Sequence, residues 1–63
     1  MDSAARSQLN SIVSELYQIA RDLEKQANDL SSIQGVGAEL CRLRLEATAR
    51  KYRAAGNTLS WLD

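Results

Sequence analysis

One thiol, a pair of close glycines, a scatter of acids and a basic run are the residues here with chemistry to offer. Cys41 is the only cysteine, and the chain has no histidine. A nucleophilic thiolate needs a base, and the usual cysteine–histidine pairing is therefore absent. A zinc cage lacks its ligands for the same reason. What remains for Cys41 is a redox or intersubunit-disulfide role, or burial as a small apolar side chain. It lies in the first turns of a helix and adjoins Arg42, a setting that also suits a reactive thiol. Gly35-Val36-Gly37 is only a G-x-G. A dinucleotide fingerprint needs a strand before it and a third glycine, and a phosphate loop needs a Gly-Lys-Ser/Thr. The reading of these glycines is a turn. Among the acids, Asp22 and Glu24 diverge on a helix. Glu15, Asp22 and Asp29 share a face, but that face points outward and offers no cleft for acid–base work. The expectation is that the protein is not an enzyme and holds no cofactor or metal.

The basic run RLRLEATARKYR gives five cations between residues 42 and 53: Arg42, Arg44, Arg50, Lys51 and Arg53. They are the candidate contacts for RNA or DNA phosphates. On a helix, however, Glu39 and Glu46 sit among Arg42, Arg50 and Arg53. Arg42–Glu46 and Glu46–Arg50 are (i, i+4) pairs, each worth a few tenths of a kcal/mol, ~0.2–0.5. A solvated, salt-bridged face is the simpler reading, and nucleic acid is not the expected partner.

These residues must be carried by helices. The chain has no proline, and its apolar residues follow a helical period. In LNSIVSELYQIARDLEKQANDL the leucines fall at 9, 16, 23 and 30, seven apart. Ile12, Ile19 and Ile33 flank them on one side, and Val13, Ala20 and Ala27 on the other, with Tyr17 at the edge. The stripe is roughly 120–160° wide at ~100° per residue. A two-stranded coiled-coil seam is narrower, and the basic region of a DNA-binding zipper is absent. Ser3, or Asp2 before it, can supply the N-cap. Gly35 supplies a left-handed closure. The first helix is expected at about 3–32.

The second helix is expected from about residue 37 to 61. Its main seam is Cys41, Leu45, Thr48, Tyr52, Ala55, Leu59 and Leu62, and this is expected to pack on the first helix and bury Cys41. A second strip lies further round: Val36, Leu40, Leu43, Ala47, Ala54 and Trp61. Gly56-Asn57 could end the helix, but the seam stays in phase through Leu59 and Leu62, which favours continuation at a cost of about 1 kcal/mol for the glycine.

A chain of 63 residues is one domain, with a core that rarely yields more than ~3–5 kcal/mol. Disulfides and metals are excluded as staples, which leaves association. Eight acids balance eight bases, so no net field attracts nucleic acid or an acidic membrane. Residues 1–31 hold five acids and three bases, and residues 32–63 hold three acids and five bases. The two halves are weakly complementary. No run approaches the ~20 apolar residues of a membrane span, the start MDSAARSQ has no signal-peptide pattern, and a cytoplasmic location is the default. The helix–(apolar)-x-Gly–helix layout loosely resembles the small secreted helical hairpins defined by a Trp-x-Gly turn. Here that turn reads Ile33-Gln34-Gly35 without the tryptophan, and Tyr52 is followed at four residues by Gly56, where their export signal has an acid.

The fold expected is all-α: a single antiparallel two-helix hairpin that dimerises into a four-helix bundle. The function expected is a non-enzymatic protein–protein interaction module or small adaptor, working as a homodimer or with a protein partner. Leu40, Leu43, Ala47, Ala54 and Trp61 are the expected interface. A small RNA- or DNA-binding regulator and a secreted hairpin partner are the alternatives.

Overall fold

The computed structural model describes residues 2–62. Helix α1 runs Ser3–Leu30 and helix α2 runs Val36–Ser60, with no strand among the described residues. Both helices are where the apolar periodicity places them. The Asp2 carboxylate accepts from the Ala5 N–H at 2.8 Å and so caps α1. That satisfies one of the donors a helix start leaves unpaired. At the other end the Ser31 and Ser32 hydroxyls donate to the Asn28 and Asp29 carbonyls. The α1 helix ends at Leu30, about half a turn before the expected end near residue 32.

Gly35 has φ 126° and ψ 155°. This backbone region is essentially restricted to glycine. Its role differs from the expected one: it opens α2 as the N-cap rather than closing α1 with a left-handed helical turn. The Glu39 N–H donates to the Gly35 carbonyl at 3.1 Å, which starts the α2 ladder. Helix α2 continues through Gly56 without a break.

The two helices lie antiparallel in a rod of 51 × 14 × 10 Å. Its radius of gyration is 14.9 Å, against about 11 Å for a compact domain of this length. The contact line between the helices is made of small residues. Ala20, Ala27, Ala49 and Gly56 are buried, joined by Leu9 near the start of α1. Ala20 and Ala27 are seven apart, as are Ala49 and Gly56, so each helix repeats one small position per two turns. Small side chains let the backbones approach closely. The tightest point is Gly56, where a Cβ would lie 2.8 Å from Tyr17 Cε1. Nothing but glycine fits there while the Tyr17 ring keeps its place.

The line that faces α1 is therefore Ala38, Leu45, Ala49, Gly56 and Leu59. This corrects the expected seam. Leu45, Thr48 and Leu59 are half-buried, but Cys41, Tyr52, Ala55 and Leu62 are exposed. Helix α2 is rotated by roughly half a residue's step from the expected orientation. Apart from Leu9, Leu45 and Leu59, the large side chains flank the contact line instead of forming it.

Candidate interaction surface

Because small residues hold the helices together, the large ones are displaced to the flanks. The hairpin consequently has two broad faces of different character. On the open face, α1 presents Leu16, Leu23 and Leu30 with Ile12 and Ile19 beside them. Across from them α2 presents Cys41, Leu45, Thr48, Tyr52 and Ala55. A trough of about 400 Å³ runs between Leu23 and Leu30 on one side and Cys41, Leu45 and Thr48 on the other, with Arg44 at its edge. A second trough of about 170 Å³ continues it along the same face between Leu16, Tyr52 and Ala55, with Lys51 at its edge. Apart from the charged ends of Arg44 and Lys51 and the Thr48 hydroxyl, these walls are apolar.

The opposite face is polar, and its groups meet within the chain. The Tyr17 hydroxyl donates to Asn57 Oδ1. Arg53 Nη2 reaches Glu24 Oε1 at 2.7 Å, bridging the helices. Arg42 bonds Glu46 at 3.0 Å and lies 3.7 Å from Glu39. These contacts sit beside the small-residue line and close that side of the hairpin.

The five basic residues do not form one surface. Arg42 and Arg53 are half-buried on the polar face and engaged with carboxylates. Arg44 and Lys51 border the open face, across α2 from them. Arg50 is exposed between the polar face and the back of the helix. A phosphate backbone lying along α2 would meet these cations on different sides.

Cys41 is exposed and unbonded, which corrects its expected burial. It stands in the wall of the larger trough with Leu23 and Leu30. The strip Leu40, Leu43, Ala47, Ala54 and Trp61 lies on the side of α2 turned away from α1. Leu40 is 61% and Trp61 87% exposed. Ala54 is exposed and Ala47 half-buried. So α2 has apolar residues both beside the open face and behind it. The residues that sequence reasoning missed as exposed are Tyr52 and Ala55, which stand across from the half-buried Leu16, Leu23 and Leu30. Their signal was the heptad of small residues, which takes the contact line for itself.

No helix of the described residues is long and apolar enough to cross a membrane. Comparison with known proteins finds no family model, no curated relative and no solved structure that matches this chain.

Proposed function

We propose that this hairpin is a non-enzymatic protein–protein interaction module that works as an oligomer, two hairpins closing into an antiparallel four-helix bundle. One observation carries the reading: an entire apolar face, Leu16–Leu23–Leu30 opposite Leu45 and Tyr52, has nothing over it in the single chain. The chain exposes 4761 Å², whereas a compact monomer of 7.0 kDa exposes about 4,000 Å². The buried apolar residues among those described are three alanines and Leu9. A core of that size leaves little beyond the cost of ordering the chain. A contiguous apolar face of this extent is the usual mark of an association surface.

The strip Leu40, Leu43, Ala47, Ala54 and Trp61 remains on the outside of such a bundle. It is the proposed surface for a further protein partner, with Trp61 as its anchor, since exposed tryptophans dominate interface energetics when buried. The nucleic-acid alternative asks for Arg42, Arg44, Arg50, Lys51 and Arg53 on one side, an arrangement they do not have.

The test is the solution mass by light scattering behind size exclusion. At micromolar concentration the expected mass is close to twice 7.0 kDa, or a higher multiple if the outer strip also pairs. A stably folded monomer at that concentration would contradict the proposal.

A further inference from the structure

We infer that the open face takes a second copy of this chain about a two-fold axis parallel to the helices, so that α1 of each copy lies on α2 of the other. This deepens the oligomeric reading and rests on it.

Charged residues line both edges of the open face. Along its α1 edge run Glu15, Asp22 and Asp29, each one helical step before a leucine of the face and seven residues apart. Along its α2 edge run Arg44 and Lys51, also seven apart, beside Leu45 and Tyr52. All five are exposed. None of them enters an ion pair among the described residues, in contrast to Arg42 and Arg53. Asp22 accepts a hydrogen bond from Gln18 on its own helix. One edge is thus acidic, the other basic, and neither is neutralised within the hairpin.

Most homo-oligomers are closed by two-fold axes, and two such axes bring this face onto itself. An axis crossing the helices at right angles sets α1 on α1, which places acidic edge along acidic edge and basic along basic. An axis parallel to the helices sets α1 on α2, which places acidic along basic at both edges. Charge complementarity favours the second, because like-charge juxtaposition suppresses association.

Height along the rod agrees. Tyr17 stands against Gly56, and in an antiparallel pair the numbers of level residues have a constant sum. That sum, which the Glu24–Arg53 bridge would shift by about one turn, puts Asp22 within about a turn of Lys51 and Asp29 within about a turn of Arg44. Rotation about an axis parallel to the helices leaves heights unchanged. Asp22 of one copy therefore comes within about a turn of the level of Lys51 of the other, and Asp29 of that of Arg44. All adjacent helices in the resulting bundle are antiparallel.

The area also suffices. From Leu9 to Leu30 the face is about 32 Å long, and two helices with axes 8–10 Å apart make it roughly 20 Å wide. Each copy then covers roughly 600 Å², or about 1,200 Å² in total, at the lower end of stable specific interfaces.

The experiment uses two charge-swapped chains of full length. One carries Asp22→Lys with Asp29→Arg, and the other carries Arg44→Glu with Lys51→Glu. Each alone should self-associate more weakly than the wild type, with a dissociation constant raised roughly ten-fold or more. Mixed in equal amounts they should recover a dimer as tight as the wild type. The loss should shrink at about 1 M salt. Self-association of either swapped chain at wild-type strength, beside a dimeric wild type, would overturn the inference and leave the oligomeric reading standing. A monomeric wild type would overturn both. A second measurement does not depend on the swaps. In a Cys41→Ser background, Asp22→Cys with Lys51→Cys should be joined into dimers by a short bis-maleimide linker. Efficient joining with Asp22→Cys alone would place α1 on α1 and contradict the inference.

Discussion

The two faces of this hairpin differ in whether the chain completes them. On the polar face Tyr17 reaches Asn57, Arg53 reaches Glu24, and Arg42 is held by its neighbours at 39 and 46. On the open face leucines, a cysteine and a tyrosine border two apolar troughs. Ion pairs on a wet surface are worth little, about 0–1 kcal/mol each. Covering apolar surface is worth about 25 cal/mol per Å². The side that looks finished therefore contributes little to stability, and the side that looks unfinished holds most of what remains to be gained. The polar contacts tie the two helices together on one side, and on the proposed reading the apolar face takes a second layer on the other.

The comparison breaks most completely if a charge is put where the second layer should be. Leu23→Asp sets a carboxylate in the trough wall, and a buried unpaired charge costs about 3–5 kcal/mol. We expect loss of association together with cooperative unfolding, followed by scattering mass and circular dichroism. A carboxylate at the exposed Ser14 of α1, which lines neither trough, should change stability by less than about 0.5 kcal/mol when introduced as Ser14→Asp. Equal effects at the two sites would erase the distinction between the faces.

Next in size is the close approach at Gly56. Alanine there gains helix propensity of about 1 kcal/mol, yet its Cβ would meet the Tyr17 ring at 2.8 Å. Overpacking of this kind costs about 1–3 kcal/mol. Gly56→Ala should therefore destabilise the wild type, yet stabilise a chain that already carries Tyr17→Ala. A denaturant series on the four chains reads the change of sign. A stabilising Gly56→Ala in both backgrounds would remove the close approach from the account.

The smallest effect is expected on the polar face. Arg53→Ala removes the interhelical bridge to Glu24, whose partners are each close to half exposed. A loss of a few tenths of a kcal/mol, below about 1, is expected in the same denaturant titration. A loss of several kcal/mol would mean that the polar clasp rather than the apolar face holds the molecule together.

Much of the fold could be read from the chain. Leucines seven apart mark α1, the Asp2-Ser3 pair marks its start, and Gly35 marks the corner. The continuation of α2 past Gly56 followed from the phase of Leu59. The rotation of α2 did not follow. Reading the broadest line of large residues as the buried one placed Cys41, Tyr52 and Ala55 against α1. The actual line is Ala49 and Gly56 against Ala20 and Ala27, residues that carry little hydrophobic signal but permit close backbones. Gly56 looked like a local cost in the helix, because its reason is a tyrosine 39 positions earlier. The scattered basic run shows the reverse. Its neighbours in sequence made it look like one patch, and helical geometry divides it between two faces.

The central claim, that one hairpin is half of a bundle, is tested most directly by solution mass measured through dilution. The account predicts a mass near twice 7.0 kDa at micromolar concentration, with helix content falling as the mass falls towards that of one chain. A mass of one chain at every concentration, with helix content unchanged, would contradict it.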